Sequence, residues 1–189
     1  MQLQPLPDQD NVVYTVDRAL RIVAFNAGYR RNLLSPDASD FIRQWGVGSS
    51  VLDAISPDLR AFYHELFARA LAGEPVEHRY QCPQPTRYRE FRMRLLPDPR
   101  RERVMVEHAL LLEHELPDGG PVDEATIRAR YQREGVIAQC CHCRKVRRRD
   151  GVDAWDWVGS LIARSWPGTS HGLCPPCFEY YYPEAEAAG

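Results

Sequence analysis

The fold of the C-terminal part is decided by two stretches, QCCHCRKV at residues 139–146 and HGLCPPCF at residues 171–178. Each holds a Cys-x-x-Cys pair, and the thirty residues from Arg144 to Leu173 separate the pairs. A tetrahedral Zn²⁺ takes four thiolates, and a two-residue gap lets both sulfurs of a pair turn inward on one tight loop. The spacing therefore predicts a structural zinc site with no position left open for catalysis. Its ligands are Cys140, Cys143, Cys174 and Cys177.

Neighbouring residues leave the ligand set open in two places. His171 lies three residues before Cys174 and could replace one sulfur, although a surface histidine is the favoured interpretation. Cys141 lies inside the first pair, either as a bystander or as a reactive thiol if the metal lowers its pKa. Arg144 follows Cys143, so the Cys-x-x-Cys-His motif of haem attachment is absent.

The composition indicates a globular chain of one ordinary domain and one small one. Of its 189 residues, 44% are apolar and 26% are charged, and the net charge of −2 gives no general attraction to nucleic acid or anionic membranes. The N-terminal MQLQPLPDQD has neither the basic nor the apolar region of a secretory signal, so we expect a cytoplasmic protein without a membrane span. Reduced thiols in that compartment favour metal binding over disulfides.

The N-terminal part shows the pattern of an antiparallel sheet with helices. A hairpin turns at residues 17–19, Asn26 caps a short helix, and Ser56-Pro57 begins a longer helix that ends at Gly73. Three strand-like runs with turns at the prolines of residues 83–85 and 97–99 follow: Val76–Cys82, Tyr88–Leu96 and Val104–Leu112. This order predicts an α+β fold.

A linker rich in Pro and Gly at residues 117–121 separates the two parts. We predict a polar helix over Asp123–Glu134 with a narrow apolar stripe at Ile127 and Tyr131, and a second helix over Asp153–Ser165 with Trp155 on its packed face. The predicted domains are residues 8–116, a linker and connecting helix at 117–135, and a cysteine module at 136–183.

Residues 11–29, NVVYTVDRALRIVAFNAGY, resemble the opening of a PAS domain. The segments HRYQCPQPTRYREFRMRLLP at 78–97 and VMVEHALL at 104–111 resemble its closing strands. The resemblance covers about residues 8–115. It implies a PAS fold with a five-stranded antiparallel sheet flanked by helices, used in sensing, ligand binding or dimerisation, and hence a homodimer.

The cysteine module resembles an extension found in some bacterial sensor and response-regulator proteins. The matching parts are the two cysteine pairs, the basic RKVRRR at 144–149, Trp155 and Ser170-His171-Gly172. The resemblance implies a role in bacterial signal transduction. The chain has no room for a histidine-kinase, cyclase or DNA-binding output domain, so we expect its output to lie in a protein partner.

A PAS core can hold haem, flavin or another small ligand, which the fold alone does not decide. His64 and His108 are the candidate haem ligands, although surface or packed roles are favoured for both. Cys82 lies outside any flavin-type motif, so flavin is not expected. Cys82 and His108 could also form a redox pair if neighbouring strands carry them, or be unrelated side chains.

Two further patterns have alternative interpretations. The run Arg144–Arg149 could bind phosphates, with Arg147–Arg149 as its centre, but the aspartates after it favour a solvated turn or an acidic partner, and nucleic acid is not the expected partner. Tyr180, Tyr181 and Tyr182 are either a partner surface or, as we prefer, a cap over the metal module.

These patterns favour a non-enzymatic sensor or adaptor in which a PAS domain, through the helix Asp123–Glu134, is coupled to a zinc-stapled module. A thiol redox sensor that uses the zinc cysteines, and a nucleic-acid-binding zinc protein, are the alternatives. Neither paired carboxylates nor an open metal position is visible, so we expect no enzyme activity.

Overall fold

The structure is a computed structural model that describes residues 11–34, 45–98, 100, 102–116, 122–151, 154–163 and 166–183. The chain forms two compact units. The first comprises Met1–Arg79 and Phe91–Leu110, and the second comprises Tyr80–Glu90 and Leu111–Gly189. The domain boundaries given by the linker stay a prediction. None of the described helices combines the length and the apolar character that crossing a membrane requires.

The first unit opens with the predicted hairpin, which is confirmed. Strands β1 (Val12–Val16) and β2 (Ile22–Phe25) pair antiparallel. Asp17 Oδ1 accepts hydrogen bonds of 2.9 Å from the backbone N–H groups of both Ala19 and Arg21, and this fixes the turn. Such a side-chain-to-backbone bond is the reason that aspartate favours turns.

Two α-helices follow at the predicted places. Helix α1 (Ala27–Leu34) begins after Asn26, whose Oδ1 accepts from the N–H of Tyr29 at 2.8 Å, so the predicted cap is confirmed. A 3-10 helix (Val51–Ala54) precedes α2 (Pro57–Leu71), which has its proline in the first turn. The buried side chains of α2 follow helical spacing: Leu59, Tyr63, Leu66, Phe67 and Ala70.

Three long strands complete a five-stranded antiparallel sheet in the order β2-β1-β5-β4-β3, so the α+β class is confirmed. They are β3 (Val76–Gln81), β4 (Arg87–Asp98) and β5 (Arg103–Glu115), and each contributes residues to both units. Met93 and Leu95 on β4 and Val104 and Val106 on β5 are buried, as alternation predicts. The predicted turn at residues 97–99 is wrong in part, because β4 continues through Asp98.

In the described part of the second unit, beyond the ends of β3, β4 and β5, five short strands and three helices surround a small core. The strand order is β10-β7-β8-β9, with β6 also paired to β7. The strands are β6 (Gln132–Arg133), β7 (Val136–Cys140), β8 (Val146–Arg147), β9 (Trp155–Asp156) and β10 (Thr169–Gly172). The helices are α3 (Glu124–Tyr131), α4 (Gly159–Ala163) and α5 (Pro175–Tyr181). The core comprises Ile127, Tyr131, Ile137, Val146, Val158 and Leu161, and this confirms the packed stripe on α3.

Both helices predicted in this unit are shorter than expected. The helix over Asp123–Glu134 stops at Tyr131, because Glu134 (φ 53°) and Gly135 (φ 83°) form a left-handed turn that folds β6 back onto β7. The helix over Asp153–Ser165 is wrong at its start. Trp155 lies on β9 opposite Arg147, and within the described residues of this range the helix comprises Gly159–Ala163.

Several predictions concern residues outside the described ranges. They concern the first ten residues, the linker at 117–121, and the two ends, Asp153 and Ser165, of the second helix.

Candidate metal centre

The first cysteine pair lies on a tight turn at the end of β7. The N–H of Cys140 donates to the carbonyl of Lys145 at 2.8 Å, and the N–H of Arg144 donates to the carbonyl of Cys140 at 3.1 Å. Arg144 takes the left-handed conformation with φ 63°. This reversal, which we call the knuckle (Cys140–Lys145), turns the sulfurs of Cys140 and Cys143 toward the same side.

The second pair comes from the start of α5. Cys174 is its N-cap residue, and two prolines fill the first helical positions before Cys177. Strand β10 runs parallel to β7 and places Gly172 opposite Cys140, and the N–H of Cys141 donates to the carbonyl of Gly172 at 2.7 Å. This pairing delivers the second pair to the knuckle although some thirty residues separate them.

The four sulfurs meet in a buried cluster. All lie within 4.8 Å of one another, and Cys143 Sγ and Cys174 Sγ are 3.6 Å apart. The four residues are between 0% and 7% exposed, and all six cysteines are thiols rather than disulfides. The predicted ligands Cys140, Cys143, Cys174 and Cys177 are therefore brought together in an arrangement that could hold a metal ion.

The electrostatics of the cluster favour a bound cation. The pKa of Cys140 is lowered, chiefly because the neighbouring thiols donate hydrogen bonds to its thiolate, with a further bond from the N–H of Cys174. The same network raises the pKa of Cys143 and Cys177, chiefly because each of these thiols is hydrogen-bonded to neighbouring sulfurs, Cys140 first among them. If all four thiols lost their protons, four negative charges would lie at this spacing, and a bound cation would offset them.

Polar bonds hold the loop on which the cluster depends. Trp157 Nε1 donates to the carbonyl of Cys143 at 2.7 Å, and Lys145 Nζ lies 4.3 Å from the centre of the same indole ring. Gln139, which is 1% exposed, donates from its amide nitrogen to the carbonyls of Arg144 at 3.2 Å and Leu161 at 3.1 Å. Partners of this kind orient metal ligands and tune their affinity.

His142 joins the knuckle to two other elements of the second unit. Its Nδ1 lies 2.8 Å from the hydroxyl of Tyr181 on α5, and its Nε2 lies 3.4 Å from the N–H of Gln81 at the end of β3. Burial lowers the pKa of His142 to about 4, so the ring is neutral near pH 7. The predicted tyrosine cap is confirmed for Tyr181, which is 3% exposed, whereas Tyr180 is 54% exposed.

The cluster consists of cysteines alone. His171 is an exposed residue on β10, and the half-buried Cys141 lies outside the group of four. Sequence reasoning missed Trp157, Gln139 and Tyr88, which packs against Trp157 with ring centres 5.4 Å apart. The hydropathy pattern contains no signal for these residues, because their positions come from tertiary packing.

The remaining candidate residues, His64, His108 and Cys82, lie outside the four-cysteine cluster. His64 is exposed on α2, and His108 Nε2 lies 3.4 Å from the hydroxyl of Tyr14. Burial lowers the pKa of His108 to about 4. Cys82 Sγ accepts from Arg89 Nη2 at 3.6 Å. The redox pairing of Cys82 with His108 stays a prediction.

The site can do one thing well, which is to bind a soft cation in a closed sulfur cage. No family model matches the chain, and no curated protein matches it either.

Proposed function

We propose that this chain is a non-enzymatic bacterial signalling adaptor in which a PAS-type domain is coupled to a zinc-stapled module. The observation that carries the proposal is the buried four-sulfur cluster. A structural metal site uses all its coordination positions for protein ligands, whereas a catalytic site keeps one for water or substrate.

The dimensions of the cluster support zinc as the metal. Four sulfurs arranged tetrahedrally at the usual Zn–S distance of about 2.3 Å lie about 3.8 Å from one another. The observed separation of 3.6 Å between Cys143 Sγ and Cys174 Sγ is close to that value. Binding of Zn²⁺ would displace the remaining thiol protons, and the N–H groups beside Cys140 and Cys174 would stabilise the resulting thiolates.

A structural role follows from the size of the module. Among the described residues, the buried cluster of the second unit contains six apolar or aromatic side chains, with Val122 and Trp166 at its edge. A core this small needs a further stabilising device, and a metal is the usual one. Metal binding and folding of the module are then a single equilibrium.

The first unit supports the PAS interpretation through its element order. A hairpin, helices and three long strands form one antiparallel sheet, as the resemblance implies. The role of sensing a ligand or a protein partner is carried over from that resemblance. Membership of the PAS family, homodimerisation and a cytoplasmic location belong to the same proposal.

The contacts of the knuckle favour a route of coupling other than the predicted helix. His142 bonds to the backbone of Gln81 on β3, and the ring of Trp157 packs on Tyr88 of β4. Both strands continue into the first unit, so their hairpin at residues 80–90 connects the metal module to the sensor sheet. A signal that shifts these strands would change the free energy of metal binding, and the reverse also holds.

The first test is elemental analysis of freshly purified protein together with its absorption spectrum. We expect one zinc per chain and no visible band. Cys174→Ser should lose the zinc, while the matched variant Cys82→Ser should keep it. A Soret or flavin band in a zinc-free protein would contradict the proposal and make the PAS core the functional site.

The coupling has its own test by hydrogen exchange in the zinc-loaded and chelated protein. Removal of zinc should speed exchange of the amides at residues 80–90 and leave α2 (Pro57–Leu71) unchanged. Unchanged exchange at 80–90 after complete zinc loss would refute the coupling and leave the structural role of the metal intact.

A further inference from the structure

The side chains of the basic run Arg144–Arg149 differ in burial, because the short strand β8 lies within the run. Arg144 is half-buried at the knuckle, and Val146 is completely buried in the core opposite Gln139. Because side chains alternate along a strand, Arg147 is on the other face of the small sheet. The run is therefore not one continuous basic patch, and only part of it faces solvent.

The outer face of the small sheet forms an open depression lined by arginines. Two adjoining concavities of about 750 Å³ and 350 Å³ share Arg133, Glu134 and Arg149 in their walls. Helix α3 adds Arg128 to the larger one, and β8 adds Arg147 to the smaller one. We call this surface the arginine trough, defined by Arg128, Arg133, Arg147, Arg149, Val136 and Ala138.

The floor of the trough is apolar and accessible. Val136 and Ala138 lie two residues apart on β7 and therefore share a face, and Val136 is 43% exposed. Strand β6 places Arg133 directly opposite Val136. A floor of this kind, bordered by guanidinium groups, offers an apolar surface and hydrogen-bond donors side by side.

The ion pairs leave several of these guanidinium groups available. Arg128 pairs with Glu124, and Arg148 Nε donates to Asp156 Oδ2 at 2.6 Å, where the hydroxyl of Tyr131 also donates. Among the residues that the structure describes, no carboxylate lies at salt-bridge distance from the guanidinium groups of Arg133, Arg147 or Arg149. Glu134 and Asp150 line the concavities and limit the positive charge without pairing to these three.

We propose that the arginine trough is a binding site for the phosphate chain of a nucleotide. Guanidinium groups bind phosphate oxygens in a fork, which suits Arg more than Lys. The apolar floor would take the ribose or base, and the free guanidinium groups would take the phosphates. The same chemistry is offered by a free nucleoside triphosphate and by the backbone of single-stranded nucleic acid. This site goes beyond the adaptor role, and it rests on that role only because the proposed zinc keeps the module folded.

Binding can be tested on the full chain with ATP, inorganic triphosphate and a ten-residue oligothymidylate at about 50 mM salt, where electrostatic binding is strong. We expect at least one of these to bind, and inorganic triphosphate to compete with it. The double variant Arg133→Gln/Arg147→Gln should weaken binding at least about tenfold. It should also flatten the dependence of log K on log salt by about one to two.

Matched variants separate a specific site from general charge. Arg60→Gln/Arg103→Gln removes the same charge in the first unit and should leave binding unchanged. Glu134→Gln should strengthen binding, because it removes an opposing carboxylate from the trough. Zinc content and melting temperature, measured on each variant, identify any that is misfolded. If the double glutamine variant is misfolded, Arg133→Lys/Arg147→Lys, which keeps the charge, is compared with the parent protein in its place.

The pattern of binding also identifies the source of the phosphates. Comparable affinity for ATP and the ten-residue oligothymidylate indicates a free nucleotide. Much higher affinity for the oligothymidylate than for ATP indicates nucleic acid. The proposal would be overturned if none of the three probes bound at 1 mM. Equal affinity in the double variant and the parent protein would overturn it too, and so would binding of polyglutamate without any of the three probes.

Discussion

Replacement of Trp157 by phenylalanine tests how the knuckle is held. The change removes the indole N–H that donates to the carbonyl of Cys143 at 2.7 Å, and it weakens the contact with Lys145 Nζ at 4.3 Å from the ring centre. A phenyl ring keeps most of the packing against Tyr88. The perturbation is therefore confined to one hydrogen bond and one cation–π contact.

The expected loss of free energy of unfolding follows both from the contacts that Trp157→Phe removes and from the change in metal affinity. A net hydrogen bond and a partly exposed cation–π contact together contribute about 1 to 2.5 kcal/mol to the free energy of unfolding. Loss of a group that orients a metal ligand usually costs about ten- to a hundredfold in metal affinity, which corresponds to about 1.4 to 2.7 kcal/mol. The two ranges agree, because under the proposed function metal affinity and stability of the module report the same equilibrium.

The assay is zinc competition against a chromophoric chelator, with denaturation followed by circular dichroism on the same samples. Trp155→Phe is the matched control, since the buried Nε1 of Trp155 has no hydrogen-bond partner within the described part of the chain. We expect Trp157→Phe to weaken zinc binding by more than about tenfold and Trp155→Phe to leave it nearly unchanged. Equal effects of the two variants would refute the role of the bond to Cys143.

Three further outcomes are expected. Because burial lowers the pKa of His108 to about 4, the unfolded chain binds a proton between pH 6.5 and 4 that the native state does not. As the pH falls through that window, His108 should therefore lower the free energy of unfolding by at most about 3 kcal/mol, beside any contribution from His142. The total fall should be smaller in His108→Gln, and identical pH profiles would contradict this. Gly168→Ala should lower the melting temperature of the zinc-loaded protein, because a Cβ at φ 80° would lie 2.8 Å from the carbonyl oxygen of Gly135. Gly172→Ala is the control, since its Cβ would meet open space. A melting temperature lowered no more by Gly168→Ala than by Gly172→Ala would argue against the close approach. Asn26→Ala should destabilise the protein by about 0.5 to 2 kcal/mol in urea denaturation, with Asn26→Asp much closer to the parent, and the reverse order would exclude the capping role.

Local signals predicted well wherever a feature is fixed by neighbouring residues. Asp17 sets the first hairpin turn through its own backbone bonds, Asn26 caps α1, and the prolines and glycines mark the ends of α2. The four clustered cysteines could also be predicted, because metal chemistry restricts their spacing more tightly than packing restricts a core residue.

Features that depend on distant partners could not be predicted in this way. Strands β8 and β9 are two residues long, and Trp155 is extended because it pairs with Arg147 rather than because of its own propensity. The parallel pairing of β10 with β7 has no sequence signature. The arginine trough was hidden for the same reason, since Arg133 and Arg147 meet the same face only through the pairing of both strands with β7.

The parallel pairing of β10 with β7 has a consequence for biosynthesis. At roughly 5 to 20 residues per second, the ribosome takes about 2 to 7 seconds to add the 34 residues from Arg144 to Cys177. For at least that interval the first two thiols exist without the two that complete their cage. Closure must wait for Cys174 and Cys177, so nascent chains of this protein pass through a stage in which the first two thiols are open to oxidants and to competing metals such as Cu(I).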